Sequence, residues 1–133
     1  MDTNVILDVV EDDAKWAQWS LARLETAALN QALLINAVIY AELSIAFRRI
    51  EELEAMLARG GFRIEAIPRE ALFLAGKVFL QYRRRGGAKS GVLPDFFIGA
   101  HAAVARIPLL TRDAARYRSY FPTVELIAPE IAA

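Results

Sequence analysis

Apolar residues recur along this chain in two patterns, as short unbroken runs and as longer stretches with helical spacing. Short runs bounded by glycine, proline or polar residues predict strands at residues 32–36, 62–67, 107–111 and 124–127. Helical spacing predicts helices at residues 14–28, 37–47, 50–58, 69–82 and 114–120, and a further helix that Asp95 opens. Short strands alternating with helices indicate an α/β domain of three layers, with a mostly parallel sheet and helices on both faces.

Residues 4–10 and 69–82 allow more specific predictions. Residues 4–10 form an apolar run that fits a short helix or a strand, but the polar residues just before it are good helix caps and favour the helix. In the helix predicted at 69–82, the spacing places one apolar stripe towards the core, made of Leu72, Leu74, Val78 and Phe79.

The composition fits one domain over residues 1–133. Hydrophobic residues make up 56% of the chain, and this excess favours a surface covered by a partner or a second copy. Sixteen basic and sixteen acidic residues cancel, so nucleic-acid binding would need a local patch. The absence of cysteine and the polar residues within the apolar stretch 26–47, Glu42 among them, predict a cytoplasmic protein without a membrane span.

Two acidic residues stand in otherwise apolar helices. Asp95 is the only residue with a formal charge between Ser90 and Ala105 if His101 is neutral. It follows Pro94, so it lies where free backbone N–H groups favour a negative charge. Glu42 is the only charged residue between Glu25 and Arg48. Each has an ordinary alternative, a first-turn aspartate for Asp95 and a solvated glutamate for Glu42.

Two further aspartates flank predicted elements. Asp113 follows the strand predicted at 107–111, and Asp2 precedes the first helix; either could act as a cap. In a parallel sheet the carboxyl ends of strands share one edge, and a helix that begins near it brings its first turn there. Four carboxylates at one edge, without cysteine or paired histidines, suit Mg²⁺ or Mn²⁺.

Each of these acids lies in its own block of the sequence. The four blocks are residues 2–8, 40–43, 93–100 and 110–117. With these blocks, in this order and at this spacing, the chain resembles the PIN-domain ribonucleases of the VapC toxin type over residues 2–117. The resemblance implies a PIN-like fold and a metal-dependent endoribonuclease that is held inactive by a cognate antitoxin and forms a homodimer.

The resemblance also assigns roles within the site. Asp2 and Asp95 match the positions that hold Mg²⁺, and Glu42 and Asp113 match those that complete the catalytic acidic cluster. Asn4 and Thr111 match polar positions that brace the cluster.

One departure from the family pattern concerns the first strand: only Met1 precedes Asp2, whereas a strand usually has about five residues. The first strand is therefore expected to be truncated, and two alternatives stay open: a catalytically impaired PIN-fold module that binds proteins, and a PIN nuclease that acts on DNA.

A basic, glycine-rich segment precedes Asp95. We expect Arg84, Arg85 and Lys89 to form a mobile arm that binds RNA phosphates, with Arg112 beside the metal site. The alternative for the arm is a solvated helix C-terminus, where the helix dipole favours positive charge.

Overall fold

The computed structural model describes residues 1–30, 32–87 and 92–129. The helices are α1 (Thr3–Val10), α2 (Ala17–Asn30), α3 (Ala37–Leu43), α4 (Ile50–Gly60), α5 (Arg69–Arg84), α6 (Leu93–Ala105) and α7 (Ala115–Tyr120). The strands are β1 (Leu33–Ile35), β2 (Phe62–Ile64), β3 (Leu109–Leu110) and β4 (Leu126–Ile127). A 3-10 turn, Ser44–Ala46, follows α3. No helix among the described residues is long and apolar enough to cross a membrane.

The strands form two parallel pairs, β1 with β2 and β3 with β4. Met1 and Asp2 lie between the pairs: the terminal ammonium group donates to the Leu34 carbonyl at 3.4 Å, and the Asp2 amide donates to the Leu110 carbonyl at 2.8 Å. This two-residue segment stands where a central strand would join the pairs, but it is too short to be one. The expected α/β fold with parallel strands is thus confirmed.

The core is built where α6 packs against α5. Phe96, in the second turn of α6, is fully buried within a cluster of aromatic rings, which includes Phe79, Tyr82, Tyr120 and Phe121. The ring of Phe121 lies so close to Gly99 that an added Cβ there would come within 2.5 Å of it. This packing fixes the start of α6, and therefore the position of Asp95.

The inward face of α5 agrees with the predicted stripe at Val78, which is buried, and at Leu74 and Phe79, which are partly buried against the core, but not at Leu72. The residues buried on α5 are Ala71, Ala75 and Val78, whereas Leu72 is 44% exposed. Small alanine side chains let two helices approach closely, so the face with the smaller residues contacts the rest of the core. Residues 4–10, for which helix and strand were both open, belong to a helix.

The predicted element boundaries also change. The helix predicted at 37–47 ends at Leu43 and continues only as the 3-10 turn, while α5 extends two residues beyond the predicted end at Tyr82. Each strand is shorter than its apolar run, because only the residues opposite a partner strand form ladder hydrogen bonds.

Candidate active site

A cavity of about 430 Å³ opens between the start of α1, the end of α3, the start of α6 and the segment after β3. Its lining contains five acids, two arginines, two further polar residues and three apolar ones: Asp2, Thr3, Asn4, Leu7, Glu11, Glu42, Ile45, Ala46, Asp95, Arg112, Asp113 and Arg116. All four acids singled out in the sequence therefore lie on one cavity, although they are separated by as much as 111 positions along the chain.

Asp2 is the most deeply buried of the four acids, with 6% of its surface exposed. Its Oδ2 accepts hydrogen bonds from the Thr111 hydroxyl at 2.8 Å, the Tyr117 hydroxyl at 3.0 Å and the Asn4 amide nitrogen at 3.3 Å. Burial raises the pKa of the Asp2 carboxyl above its ordinary value, and the hydrogen bonds from Thr111 and Tyr117 oppose that shift. The structure thus places Asn4 and Thr111 against Asp2; their bracing role remains a prediction.

Asp95 lies in the first turn of α6 and forms an ion pair with Arg116 of α7. Burial, and next the negative charge of Asp2, raise the pKa of the Asp95 carboxyl to about 6. The guanidinium group of Arg116 lowers this pKa, and the charge of Glu42 raises it further. The carboxylate of Asp95 therefore lies close enough to those of Asp2 and Glu42 to be repelled by both.

Glu42 and Asp113 complete the acidic side of the cavity. Glu42 is half-buried, and its Oε1 accepts a hydrogen bond from the Thr3 hydroxyl at 2.7 Å. Asp113 is the one exposed member of the four. Its backbone N–H donates to the Thr111 hydroxyl at 3.1 Å, so the same threonine links the segment after β3 to Asp2.

Sequence reasoning did not identify three residues that hold these acids. Thr3 bonds to Glu42, Arg116 pairs with Asp95, and the buried Tyr117 bonds to Asp2. Burial, and next the charge of Asp2, raise the pKa of the Tyr117 hydroxyl, so it stays a hydrogen-bond donor at ordinary pH. The one available signal was proximity in sequence: each of these residues lies within four positions of one of the four acids.

The donor set suits a hard divalent cation, because every candidate ligand is a carboxylate oxygen. As they stand, however, no three of the His, Asp and Glu side chains in the described part of the chain are arranged to hold a metal ion. Three of the acids already have side-chain partners: Asp2 accepts hydrogen bonds from Thr111, Tyr117 and Asn4, Asp95 is paired with Arg116, and Glu42 is bonded to Thr3. These residues have the right chemistry for a metal ion, and Arg116, which is bonded to one oxygen of Asp95, competes with a cation for that carboxylate.

The basic segment lies apart from this cavity. Arg84 is in the last turn of α5, so the helix extends into the region expected to be a mobile arm. Arg85 follows the helix, and its guanidinium carbon lies 5.5 Å from the centre of the Tyr120 ring. Neither arginine lines the acidic cavity, and Lys89 lies outside the described residues. RNA binding by these residues remains a prediction, and the arm description is wrong for Arg84.

The fold and the site define an α/β protein with paired parallel strands and an acidic cavity at the carboxyl end of β3. A family model for the PIN domain matches residues 1–121, and the chain therefore belongs to the PIN domain family. PIN domains are generally nucleases that use divalent metal ions.

Comparison with solved structures supports the same fold. The chain is similar to a chain of VapBC2 from Rickettsia felis, bound to a DNA fragment from the promoter, with a TM-score of 0.72 and 19% identity over 97% of this chain and 96% of that one. It is also similar to a chain of a toxin-antitoxin complex from Klebsiella pneumoniae, with a TM-score of 0.62 and 22% identity over 92% of each chain. No curated protein sequence matches the chain.

Proposed function

We propose that this protein is a Mg²⁺-dependent endoribonuclease of the VapC type and the toxin component of a toxin–antitoxin pair. The observation that carries the proposal is the shared cavity of Asp2, Glu42, Asp95 and Asp113 in a PIN domain. The similar chains from Rickettsia felis and Klebsiella pneumoniae come from toxin–antitoxin complexes, which supports a cognate antitoxin as partner. A homodimer is part of the same proposal.

In this proposal Asp2 and Asp95 hold the cation, and Mn²⁺ can replace Mg²⁺. Glu42 and Asp113 complete the cluster, directly or through water. When bound, the cation supplies positive charge to a phosphate oxygen and lowers the pKa of a water molecule. The hydrogen bonds from Thr111, Tyr117 and Asn4 orient the Asp2 carboxylate. In this proposal Asp113, which is exposed to solvent, accepts a proton from the attacking water.

The direct test is cleavage of single-stranded RNA by the purified protein, with Mg²⁺ and with EDTA. We expect strand cleavage only with Mg²⁺. A single-stranded DNA of the same sequence, run in parallel, tests the DNA-acting alternative.

One observation favours the other alternative, a protein-binding PIN module without activity: the acids among the described residues are not arranged to hold a metal. Absence of cleavage of either polymer with Mg²⁺ or Mn²⁺ would support that module.

Replacing Arg116 tests whether it competes with the cation for Asp95. We expect Arg116→Gln to tighten Mn²⁺ binding about fivefold, because a partly exposed ion pair contributes up to about 1 kcal/mol and 1.4 kcal/mol equals a factor of ten. Isothermal titration with Mn²⁺ measures the affinity. Arg118→Gln, which removes an exposed arginine from the same helix, is the matched control. Equal or weaker binding by Arg116→Gln would contradict competition at Asp95.

The role of the basic segment is tested by neutralising Arg84 and Arg85 together. Each phosphate contact with single-stranded nucleic acid contributes about 0.7 to the slope of log K against log salt concentration. We expect the double alanine variant to lower the magnitude of this slope by about 1.4, measured by fluorescence anisotropy with a labelled RNA in EDTA. The control, Arg63→Ala with Arg69→Ala, removes two exposed arginines near the opposite end of α5. An unchanged slope in the Arg84/Arg85 variant would remove this segment from the RNA-binding surface.

A further inference from the structure

Arg112 is held by a buried acid that is not part of the proposed metal cluster. Asp8, on α1, is only 3% exposed and does not line the acidic cavity. The Nε of Arg112 donates to both carboxylate oxygens of Asp8, at 2.9 and 3.1 Å. Ser20 of α2 donates a further hydrogen bond to Asp8 at 2.8 Å. The Asp8 carboxylate, itself held by Ser20, thus anchors the Nε end of the Arg112 guanidinium group through a charge-assisted hydrogen bond.

Two more contacts restrict Arg112. Its guanidinium carbon lies 5.6 Å from the centre of the Trp16 ring, within the range of a cation–π contact. Its backbone N–H donates to the Asn4 side-chain oxygen at 3.4 Å, and Asn4 is itself bonded to Asp2. The orientation of Arg112 is therefore tied to the acidic cavity through the backbone and to Asp8 through the side chain.

The orientation leaves part of the guanidinium group available. An arginine side chain has five N–H donors, one on Nε and four on the two terminal nitrogens. In the described part of the chain, the side-chain hydrogen bonds of Arg112 use Nε, and its side chain is 32% exposed at the cavity lining. The terminal nitrogens can thus bind an anionic ligand while Nε stays on Asp8.

The two arginines of the cavity differ in the acid that holds them. Arg116 is paired with Asp95, a proposed metal ligand, so cation binding disturbs that pair. Arg112 is paired with Asp8, which is buried behind it and outside the cavity lining, so cation binding leaves this pair in place. A polyanion approaching the five carboxylates that line the cavity needs a positive group that the cation does not displace. Arg112 meets that requirement.

We propose that Asp8 is a positioning residue that fixes Arg112 so that its terminal nitrogens bind a non-bridging phosphate oxygen of RNA at the acidic cavity. The proposal rests on the nuclease function proposed above and adds to it a phosphate contact and the residue that orients it. A guanidinium group held in advance loses less rotational freedom when the phosphate arrives, and correct placement of a reacting group is worth up to about a hundredfold in rate.

The test separates orientation from charge. Asp8→Asn removes the acceptor for Nε but leaves Arg112 charged, and Arg112→Lys keeps the charge but cannot reproduce the bond from Nε to the carboxylate. We expect each to lower kcat for RNA cleavage with Mg²⁺ by about tenfold to a hundredfold. Because Asp8→Asn removes the buried negative charge that offsets the charge of Arg112, we expect its KM to stay the same or fall. Asp12→Asn, which removes an exposed negative charge just after α1, is the matched control for loss of charge and should keep kcat within a factor of about three.

Combining the two substitutions reveals whether Asp8 acts through Arg112. We expect the double variant Asp8→Asn/Arg112→Lys to be no less active than the more impaired of the two single variants, because both changes break the same pair. Losses that multiply, or a melting temperature lowered in proportion to the loss of kcat, would mean that Asp8 has only a structural role. Wild-type kcat in Asp8→Asn would also overturn the proposal.

A binding measurement keeps this test separate from the test of nuclease function. In EDTA, where no cleavage occurs, we expect Arg112→Ala to lower the salt slope for RNA binding by about 0.7, and Asp8→Asn to leave it unchanged. Arg23→Ala is the matched control, since Arg23 also contacts a tryptophan but lies away from the cavity. If the wild type binds RNA without cleaving it, the nuclease function fails while the phosphate contact is still tested. An unchanged slope in Arg112→Ala would overturn the phosphate contact whether or not the protein cleaves RNA.

Discussion

Asp95→Asn should abolish Mg²⁺-dependent cleavage of RNA while the domain stays folded. The substitution keeps the shape of the side chain in the first turn of α6 but removes the charge that a cation needs. Loss of a residue that only orients a metal ligand costs about 10–100-fold in activity or affinity, so loss of a ligand should exceed about a hundredfold. The measurement is the initial rate of cleavage of a labelled RNA at saturating Mg²⁺.

Thermal unfolding provides the second readout for Asp95→Asn. A cation at a hundredfold excess over its Kd stabilises the folded state by about 2.7 kcal/mol, or roughly 10 °C for a domain of this size. We expect Mn²⁺ to raise the melting temperature of the wild type by this amount and that of Asp95→Asn by much less. Glu70→Gln is the matched control, because Glu70 is an acid in the first turn of another helix. Equal Mn²⁺ shifts in wild type and Asp95→Asn would contradict a metal site at Asp95.

Mn²⁺ affinity should fall about tenfold between pH 7 and pH 5. The pKa of the Asp95 carboxyl is raised to about 6, so most of this group is ionised at pH 7 and about a tenth is ionised at pH 5. Metal binding requires the ionised form and is therefore linked to pH. The raised pKa of Asp2 adds to the loss at the acidic end. Calorimetric titrations with Mn²⁺ in a series of buffers measure this dependence.

Without metal, the Asp95 carboxyl should make the folded protein more stable as the pH falls, whereas the same change in pH weakens Mn²⁺ binding. The Asp95 pKa is higher in the folded chain than its ordinary value of 3.8, so between about pH 4 and pH 6 the folded state binds more protons than the unfolded state. The contribution of Asp95 to the free energy of unfolding therefore decreases as pH rises through this window. The difference in melting temperature between wild type and Asp95→Asn in EDTA isolates the effect. A difference that does not change with pH would contradict the raised pKa.

The cavity combines two kinds of arginine with different expected behaviour. Arg116 pairs with a carboxylate that the proposal assigns to the cation, whereas Arg112 pairs with Asp8, which the proposal leaves free of metal. Substitutions at Arg116 should therefore change metal affinity first, and substitutions at Arg112 should change the response to RNA first. Comparing the two series distinguishes a group that the cation displaces from one that remains in place.

Much of the fold was predictable from the sequence because the deciding interactions are local. The alternation of apolar runs and helical stretches predicted the order of strands and helices. Pro94 placed Asp95 in the first turn of α6, and the caps before residue 4 favoured the helix that α1 forms. The inward face of α5 was predicted less well: hydrophobicity favoured Leu72, but close packing against the core selected Ala71 and Ala75. Which face of a helix is covered depends on the shape of its neighbour, which residue spacing does not contain.

The sequence by itself determined the element order, the parallel α/β class and the four acids, because apolar periodicity and isolated charges are properties of short segments. Only the tertiary structure decided which group each acid meets. Tyr117 and Asp2 are 115 positions apart, and Arg112 and Asp8 are 104 apart. Contacts of this range form only when the helices and strands pack together, and burial in that packing is also the main cause of the raised Asp95 pKa.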